Sequence, residues 1–100
     1  MSDKIVIEID KDLEDIMPMF LENRKKDITQ IEEFLSSNDI SNIQVIAHKL
    51  AGNAGSYGLS ELGEIGANME QACLNNDTDS IKDLYDKYKV YMSNLEIKYV

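Results

Sequence analysis

The 100-residue chain carries ten basic and nineteen acidic residues, which gives a formal net charge of −9, and 43% of its residues are hydrophobic. This composition argues against a disordered tail and predicts one globular domain over residues 1–100. The acidic surface excludes nucleic acids and anionic membranes as partners, because it repels their phosphate groups.

The chain has one cysteine and one histidine, which excludes an internal disulfide and a metal site of nitrogen and sulfur ligands. No apolar run approaches the ~20 residues that span a bilayer, and no signal-peptide core follows the first residues. We therefore expect a cytoplasmic protein that binds no metal and no cofactor. The start at Met1 and the length favour a whole protein over a fragment of a larger one.

The N-terminal segment alternates apolar and polar residues in Ile5–Ile9, the pattern of a strand. No second strand is evident, so we expect an extended lead-in that docks on the rest of the chain or pairs across a dimer. Over residues 12–37 apolar residues recur at steps of three and four, which predicts helix. Pro18 interrupts this run, and proline fits well only in the first turn of a helix. We expect a short helix that ends near Met17 and a long helix over residues 18–35.

Three further helices follow, separated by short polar turns. Ser41 with Gln44 resembles a capping box, Asp39 is the alternative cap, and Ser60 is the expected cap of the next helix. The apolar stripes comprise Ile43, Ile46, Ala47, Leu50 and Ala54, then Leu62, Ile65, Met69 and Cys73, and finally Ile81, Leu84, Tyr85, Tyr88, Tyr91, Met92 and Leu95. Short turns join antiparallel neighbours. The predicted fold class is all-α, an antiparallel four-helix bundle with a short extra N-terminal helix.

Residues 47–58 contain the only histidine, His48, and three of the five glycines. In one interpretation the helix ends at Gly52, which adopts the left-handed conformation of a helix cap. His48 and Lys49 are then cations in the last turn, where the helix dipole favours them. Such an uneventful role is the usual one for a histidine on a helix surface.

In the other interpretation the helix continues to about Tyr57, because the apolar stripe keeps its phase through the glycines. Gly52 and Gly55 then each cost up to about 1 kcal/mol relative to alanine, which indicates a compensating role. His48 lies roughly 130° from the centre of the stripe, on the open side of the helix. Its following neighbours are small, and Val45 is an apolar residue one turn before it on the same exposed face. This surface fits the docking of a protein that bears a reactive group.

Glu70 lies at the edge of the core face of the next helix, with Gly63 and Ala67 on the same flank. His48 lies about ten residues before the turn at residues 58–60, and Glu70 about as far after it, so antiparallel packing places them at similar height. A carboxylate that accepts the Nδ1 proton fixes the tautomer and leaves Nε2 as an exposed nucleophile. The alternative for Glu70 is an ordinary solvated carboxylate.

The motif reads His48-Lys49-Leu50-Ala51-Gly52, then Ala54-Gly55-Ser56-Tyr57-Gly58 and Leu62. It resembles the signature of histidine-containing phosphotransfer (HPt) domains, both the stand-alone modules of bacterial two-component phosphorelays and the phosphotransfer domain of chemotaxis histidine kinases. The resemblance implies that His48 is phosphorylated on the second helix of a four-helix bundle. It also implies that Glu70 hydrogen-bonds the imidazole.

The chain departs from the family pattern at one position. The family commonly has a lysine three residues after the histidine, near the phosphoryl group, where this chain has Ala51. The candidate charge partner is instead Lys49, about 100° around the helix, which reaches a phosphoryl group only by bending its long side chain back. The glycine of the family motif, Gly52, is retained.

The resemblance implies a carrier that accepts a phosphoryl group on His48 and passes it to a response regulator. Its partners are a receiver domain, a hybrid histidine kinase, or both. The sequence has no Gly-rich nucleotide loop followed by Lys-Ser/Thr and no acidic triad for magnesium, so we expect no small-molecule substrate. The expected docking face comprises Gln44, Val45, Ala51, Gly52, Gly55 and Ala67.

Two other hypotheses remain at this point. One is a non-catalytic docking module that binds a response regulator or kinase without transferring phosphate. The alanine at position 51, where the family commonly has lysine, gives this hypothesis mild support. The other is a metal-dependent enzyme, against which the single histidine argues.

Overall fold

Four α-helices make up most of the chain, and they lie where the spacing of apolar residues predicts them. The computed structural model describes residues 4–100. Its main elements are β1 (Ile5–Ile9), α1 (Met17–Ser36), α2 (Ile40–Asn53), α3 (Ser60–Leu74), α4 (Thr78–Asn94) and β2 (Leu95–Tyr99). The predicted all-α four-helix bundle is confirmed. No helix within residues 4–100 combines the length and the hydropathy needed to cross a membrane.

The core lies along the axis of the bundle and takes buried side chains from every helix. Its fully buried members include Met17, Ile31, Ile43, Leu50, Leu62, Met69, Ile81 and Tyr88. Tyr88 also links α4 to α1, because its hydroxyl donates a hydrogen bond to the Arg24 carbonyl oxygen at 3.0 Å. Tyr91 is buried as well, so these tyrosines pack in the core as their spacing predicts.

The predicted short first helix is wrong. Residues Lys11–Leu13 form only one 3₁₀ turn, capped by the Asp10 side chain, and Met17 begins α1 rather than ending a helix. Pro18 therefore lies in the first turn of α1. Its missing N–H is harmless there, because first-turn N–H groups have no partner within the helix.

The expectation of a lone extended lead-in is also wrong. β1 pairs in parallel with β2, in a register that joins Ile5 to Leu95 and Ile9 to Tyr99. The ladder continues past the strands through a hydrogen bond from the Val100 N–H to the Ile9 carbonyl oxygen at 2.9 Å. β1 thus finds its partner within the chain, where the sequence analysis considered a dimer.

The N-caps of α2 and α3 differ from the expected ones. Asp39 caps α2 through the Asn42 N–H, so the alternative cap is the one observed and Ser41 lies inside the helix. Ser60 does not cap α3 but is its first residue, after an N-cap at Leu59 whose side chain makes no capping hydrogen bond.

α2 passes through the glycine-rich segment without ending at Gly52. The α-helix continues to Asn53 and tightens into a 3₁₀ turn over Ala54–Tyr57. The left-handed residue is Gly58, with φ 83°, and a Cβ there would lie 2.6 Å from the Ile9 Cδ1 atom. The helical stretch therefore ends near Tyr57, as the continuous apolar stripe predicts, and Gly52 is not its cap.

The closest approach between α2 and α3 occurs at Gly66. A Cβ atom at this position would lie 2.6 Å from the Ala51 backbone nitrogen and 3.0 Å from the Ala47 carbonyl oxygen. Backbone atoms within a packed helix cannot move aside as the end of a flexible side chain can. Only glycine at position 66 therefore allows the two helices to pack at this distance.

We expect Gly66→Ala to destabilise the fold by about 1–3 kcal/mol, because the added methyl group overpacks the helix contact. Gly63→Ala is the matched control, since its Cβ would meet its nearest atom at 3.6 Å, an ordinary contact. That variant should be neutral or gain up to about 1 kcal/mol from helix propensity. Urea denaturation of both variants measures the difference, and equal midpoints would contradict the close contact at Gly66.

Candidate functional site

His48 stands on the open face of α2, in its third turn. The buried stripe of α2, which includes Ala47 and Leu50, faces the core and turns His48 outward. Its side chain is 75% exposed, and its Nδ1 atom lies 2.7 Å from the Glu70 Oε2 atom of α3. The structure thus brings together the two residues that the sequence analysis paired across the helix interface.

The hydrogen bond determines which imidazole nitrogen is free. A carboxylate can only accept a hydrogen bond, so Nδ1 of His48 carries a proton and donates a hydrogen bond to Glu70. In the neutral imidazole, Nε2 then holds the free lone pair, on a side chain open to solvent. Even an exposed ion pair contributes only about 0–1 kcal/mol to stability, so this exposed hydrogen bond matters more for orienting the ring than for stabilising the fold.

Gly66 explains how the short glutamate side chain reaches the histidine. It lies four residues before Glu70 on α3 and contacts the α2 backbone at Ala47 and Ala51, on either side of His48 in sequence. The sequence analysis placed Gly63 and Ala67 on this flank and missed Gly66. The signal was present as a run of small residues at helical spacing that leads to Glu70.

The segment after α2 is fixed against α1. The Tyr57 ring stacks on the Phe20 ring with centroids 4.1 Å apart, and the Arg24 guanidinium lies over Phe20 at 4.8 Å from the ring centroid. Stacked aromatic pairs add to the energy of apolar burial. This contact anchors the end of the helical stretch that carries His48.

The predicted docking residues divide into two groups around His48. Gln44 and Val45 line one shallow depression with His48, Glu70 and the candidate charge partner Lys49, and Val45 is 51% exposed. The depression has a volume of about 470 Å³ and is open to solvent.

The second group lies toward the C-terminal end of α2 and on α3. Gly52, Gly55 and Ala67 are exposed, whereas Ala51 is half-buried beside Gly66. A Cβ atom at Gly52 or Gly55 would meet nothing within 4 Å. The fold therefore does not require glycine at either position for packing.

Lys49 lines the depression, and its positive charge also acts on the Asp27 carboxylate of α1. Burial raises the pKa of the Asp27 carboxyl, while the charges of Arg24 and Lys49 oppose that rise. Lys49 thus lies between the His48 depression and α1, in keeping with its position around the helix. Among residues 4–100, no group of three histidine, cysteine or carboxylate side chains could hold a metal ion.

Comparison with models of known protein families gives one match. The family model of the Hpt domain matches residues 15–97, from just before α1 into β2, and leaves β1 outside the match. No curated protein matches the chain, and no solved structure does. The resemblance seen in the sequence is confirmed. The chain belongs to the Hpt domain family, whose members take part in phosphotransfer through a histidine in two-component signalling systems.

Proposed function

We propose that His48 is the phosphoacceptor and that the protein relays phosphoryl groups between an aspartate of one receiver domain or hybrid histidine kinase and an aspartate of another response regulator. The observation that supports this most directly is the 2.7 Å hydrogen bond between Nδ1 of His48 and Oε2 of Glu70, on an imidazole that is 75% exposed. It presents Nε2 to a partner in one tautomer. The proposed location is the cytoplasm, in keeping with the family.

The transfer needs little covalent chemistry from this chain. The Nε2 lone pair attacks the phosphorus, the N–P bond forms, and the P–O bond breaks with its electron pair leaving on the aspartate carboxylate of the receiver. The proton on Nδ1 stays in place, and the Glu70 carboxylate stabilises the positive charge that develops on the ring. The reverse steps return the phosphoryl group to a receiver. The metal ion and most phosphate contacts come from the receiver.

The surface around His48 suits close approach by another protein. Gly52 and Gly55 leave open space beside the imidazole on its C-terminal side, and Val45 offers an apolar contact on the other side. Each glycine lowers helix stability, and the packing of the fold does not require it. We infer that the bare backbone is kept for the partner. Lys49 supplies a positive charge at the edge of the same face.

Phosphorylation of His48 is tested by incubation with a phosphorylated receiver domain. The native chain should gain an acid-labile, alkali-stable phosphate, and His48→Gln should gain none while it still binds the receiver. If several competent receivers bind the native chain without labelling it, the protein is a docking module that transfers no phosphate.

Glu70→Ala should slow phosphotransfer by roughly tenfold, because the hydrogen bond that already orients the ring strengthens as positive charge develops on it, and about 1.4 kcal/mol of added stabilisation corresponds to a tenfold change in rate. Glu70→Gln should lose less, since its amide oxygen still accepts from Nδ1. Rapid-quench kinetics measure the rates, and titration of the receiver checks that affinity is unchanged. Equal rates in the native chain and Glu70→Ala would show that the glutamate does not assist transfer.

Gly52→Ala should separate stability from docking. We expect a gain of up to about 1 kcal/mol in the free energy of unfolding, because the methyl group enters open space on a helix. Receiver affinity should fall, since the methyl group lies on the docking face. Gly63→Ala, whose methyl group lies between α2 and α3, is the control that should leave affinity unchanged. Unchanged affinity in Gly52→Ala would remove Gly52 from the docking face.

A further inference from the structure

All nineteen acidic residues of the chain lie outside residues 40–60. This stretch covers α2 and the 3₁₀ turn after it, up to the first residue of α3. Its only side chains that carry a charge near neutral pH are Lys49 and, when protonated, His48. An even distribution would place several acidic residues there. On a chain with a net charge of −9, the segment that carries the proposed phosphoacceptor is thus the longest stretch without a carboxylate.

The folded protein presents this segment at its surface. Ser41, Val45, His48 and Lys49 are exposed side chains of α2 that line the depression beside the imidazole. Within the described part of the chain a single carboxylate lines it, that of Glu70, which is 27% exposed and hydrogen-bonded to His48. The other helices carry exposed carboxylates, among them Glu22, Glu33, Glu61, Glu64, Asp83 and Asp86.

α1 extends this surface on the side of Lys49. The Phe20 ring of α1 stacks on the Tyr57 ring. Lys49 lies close enough to Asp27 for its charge to oppose the rise that burial causes in the pKa of that carboxyl. Asp27 follows Phe20 by seven residues, and Lys49 precedes Tyr57 by eight, so α1 runs antiparallel beside α2. Lys26 therefore lies at about the height of Lys49.

Asp27 does not make this side of α1 acidic. Its Oδ2 atom lies 2.7 Å from the Arg24 Nε atom, and its side chain is only 16% exposed. The Tyr88 hydroxyl donates a hydrogen bond to the same oxygen at 3.3 Å. Lys26, about 100° around the helix, is exposed. The charge that this side of α1 presents to solvent is thus that of a cation.

The proposed function requires a partner whose surface is acidic. A magnesium ion that serves phosphoryl transfer is held by carboxylates, together with the phosphoryl oxygens. Among residues 4–100, no three side chains of histidine, cysteine, aspartate or glutamate could hold such an ion together. The carboxylates that hold it then belong to the receiver domain, beside its phosphorylated aspartate.

We propose that a receiver domain docks the acidic surface around its phosphorylated aspartate on the α1–α2 face, which comprises Lys26, Ser41, Val45, His48 and Lys49. This inference rests on the proposed function, which supplies the class of partner. Lys26 and Lys49 attract the acidic surface, and the exposed carboxylates of the other helices repel it. The distribution of charge on the chain therefore selects the orientation in which the receiver approaches.

The charge of the α1–α2 face can be measured without a partner. Two nitroxide probes that differ only in one group, a carboxylate or an ammonium, are added in turn to ¹⁵N-labelled native protein. The ratio of amide-proton relaxation by the anionic probe to that by the cationic probe should be at least about twofold higher around His48, Lys49 and Lys26 than around Asp83 and Asp86. A uniform ratio over the chain would overturn the proposal.

Two neighbouring lysines provide the matched test of docking. Lys25 and Lys26 are both exposed, but Lys25 lines a depression toward α4 with Tyr85 and Lys89. By calorimetry, Lys26→Glu should weaken binding of a receiver that labels His48 by about fivefold, and Lys25→Glu by less than about twofold. The difference should vanish at about 1 M salt, where charges are screened over about 3 Å. Equal weakening by the two variants at low salt would contradict docking across α1.

An added carboxylate tests the same face with the opposite charge. Ser41 lies in the first turn of α2, where the helix dipole favours an acidic side chain, so Ser41→Asp should keep the native fold. This variant should weaken receiver binding by about fivefold, whereas Thr29→Asp, at an exposed site of α1, should have little effect. Circular dichroism checks the fold of both variants. Unchanged affinity in Ser41→Asp would remove the need for a face without carboxylates.

The labelling experiment separates this inference from the proposed function. Equal rates of His48 phosphorylation in the native chain, Lys26→Glu and Ser41→Asp, at receiver concentrations below saturation, would leave the phosphotransfer role standing and overturn the charged docking face. Slower labelling in both variants, restored at saturating receiver, is the expected result. No labelling of the native chain by any competent receiver would overturn both.

Discussion

The contact of Gly66 with the backbone of α2 is the constraint on which the site depends. A Cβ at this position would come within 3.0 Å of backbone atoms of Ala47, which precedes His48, and of Ala51, which lies three residues after it. Helix pairs normally pack with axes 8–10 Å apart, and small residues at the contact favour the short end of that range. The 2.7 Å hydrogen bond from His48 to Glu70 tolerates little separation of the two helices. Backbone packing one turn away therefore sets the geometry of the reacting side chain.

The rest of the bundle carries the stability that the His48 face does not. His48 and Glu70 form an exposed pair, and Gly52 lowers helix propensity, so this face adds little to the folded state. The core is apolar and continuous, and the Tyr88 hydroxyl bridges α4 to the Arg24 carbonyl oxygen of α1. A rigid bundle can thus present a surface whose residues are chosen for contact with another protein.

The features that depend on regular helical spacing could be predicted from the sequence. The pairing of His48 with Glu70 followed from helix phase and a short turn, since these two quantities set the height and direction of a side chain. The sequence did not reveal β2, because Leu95 continues the helical stripe of α4 and five alternating residues are a weak signal. Gly66 was missed because its contact depends on how α3 is rotated against α2, which one helix pattern alone does not determine.

The pairing of β1 with β2 joins residues about ninety positions apart, so the sheet closes the longest loop of the fold. Helices and neighbouring helix contacts are local and form quickly, whereas such distant pairing forms slowly. During synthesis β1 leaves the ribosome before the four helices, and β2 follows them. Until then the segment Ile-Val-Ile-Glu-Ile is an unpaired strand of high β-propensity, open to association with other chains. Closure of the sheet, which seats Ile9 against Gly58, both completes the bundle and ends this exposure.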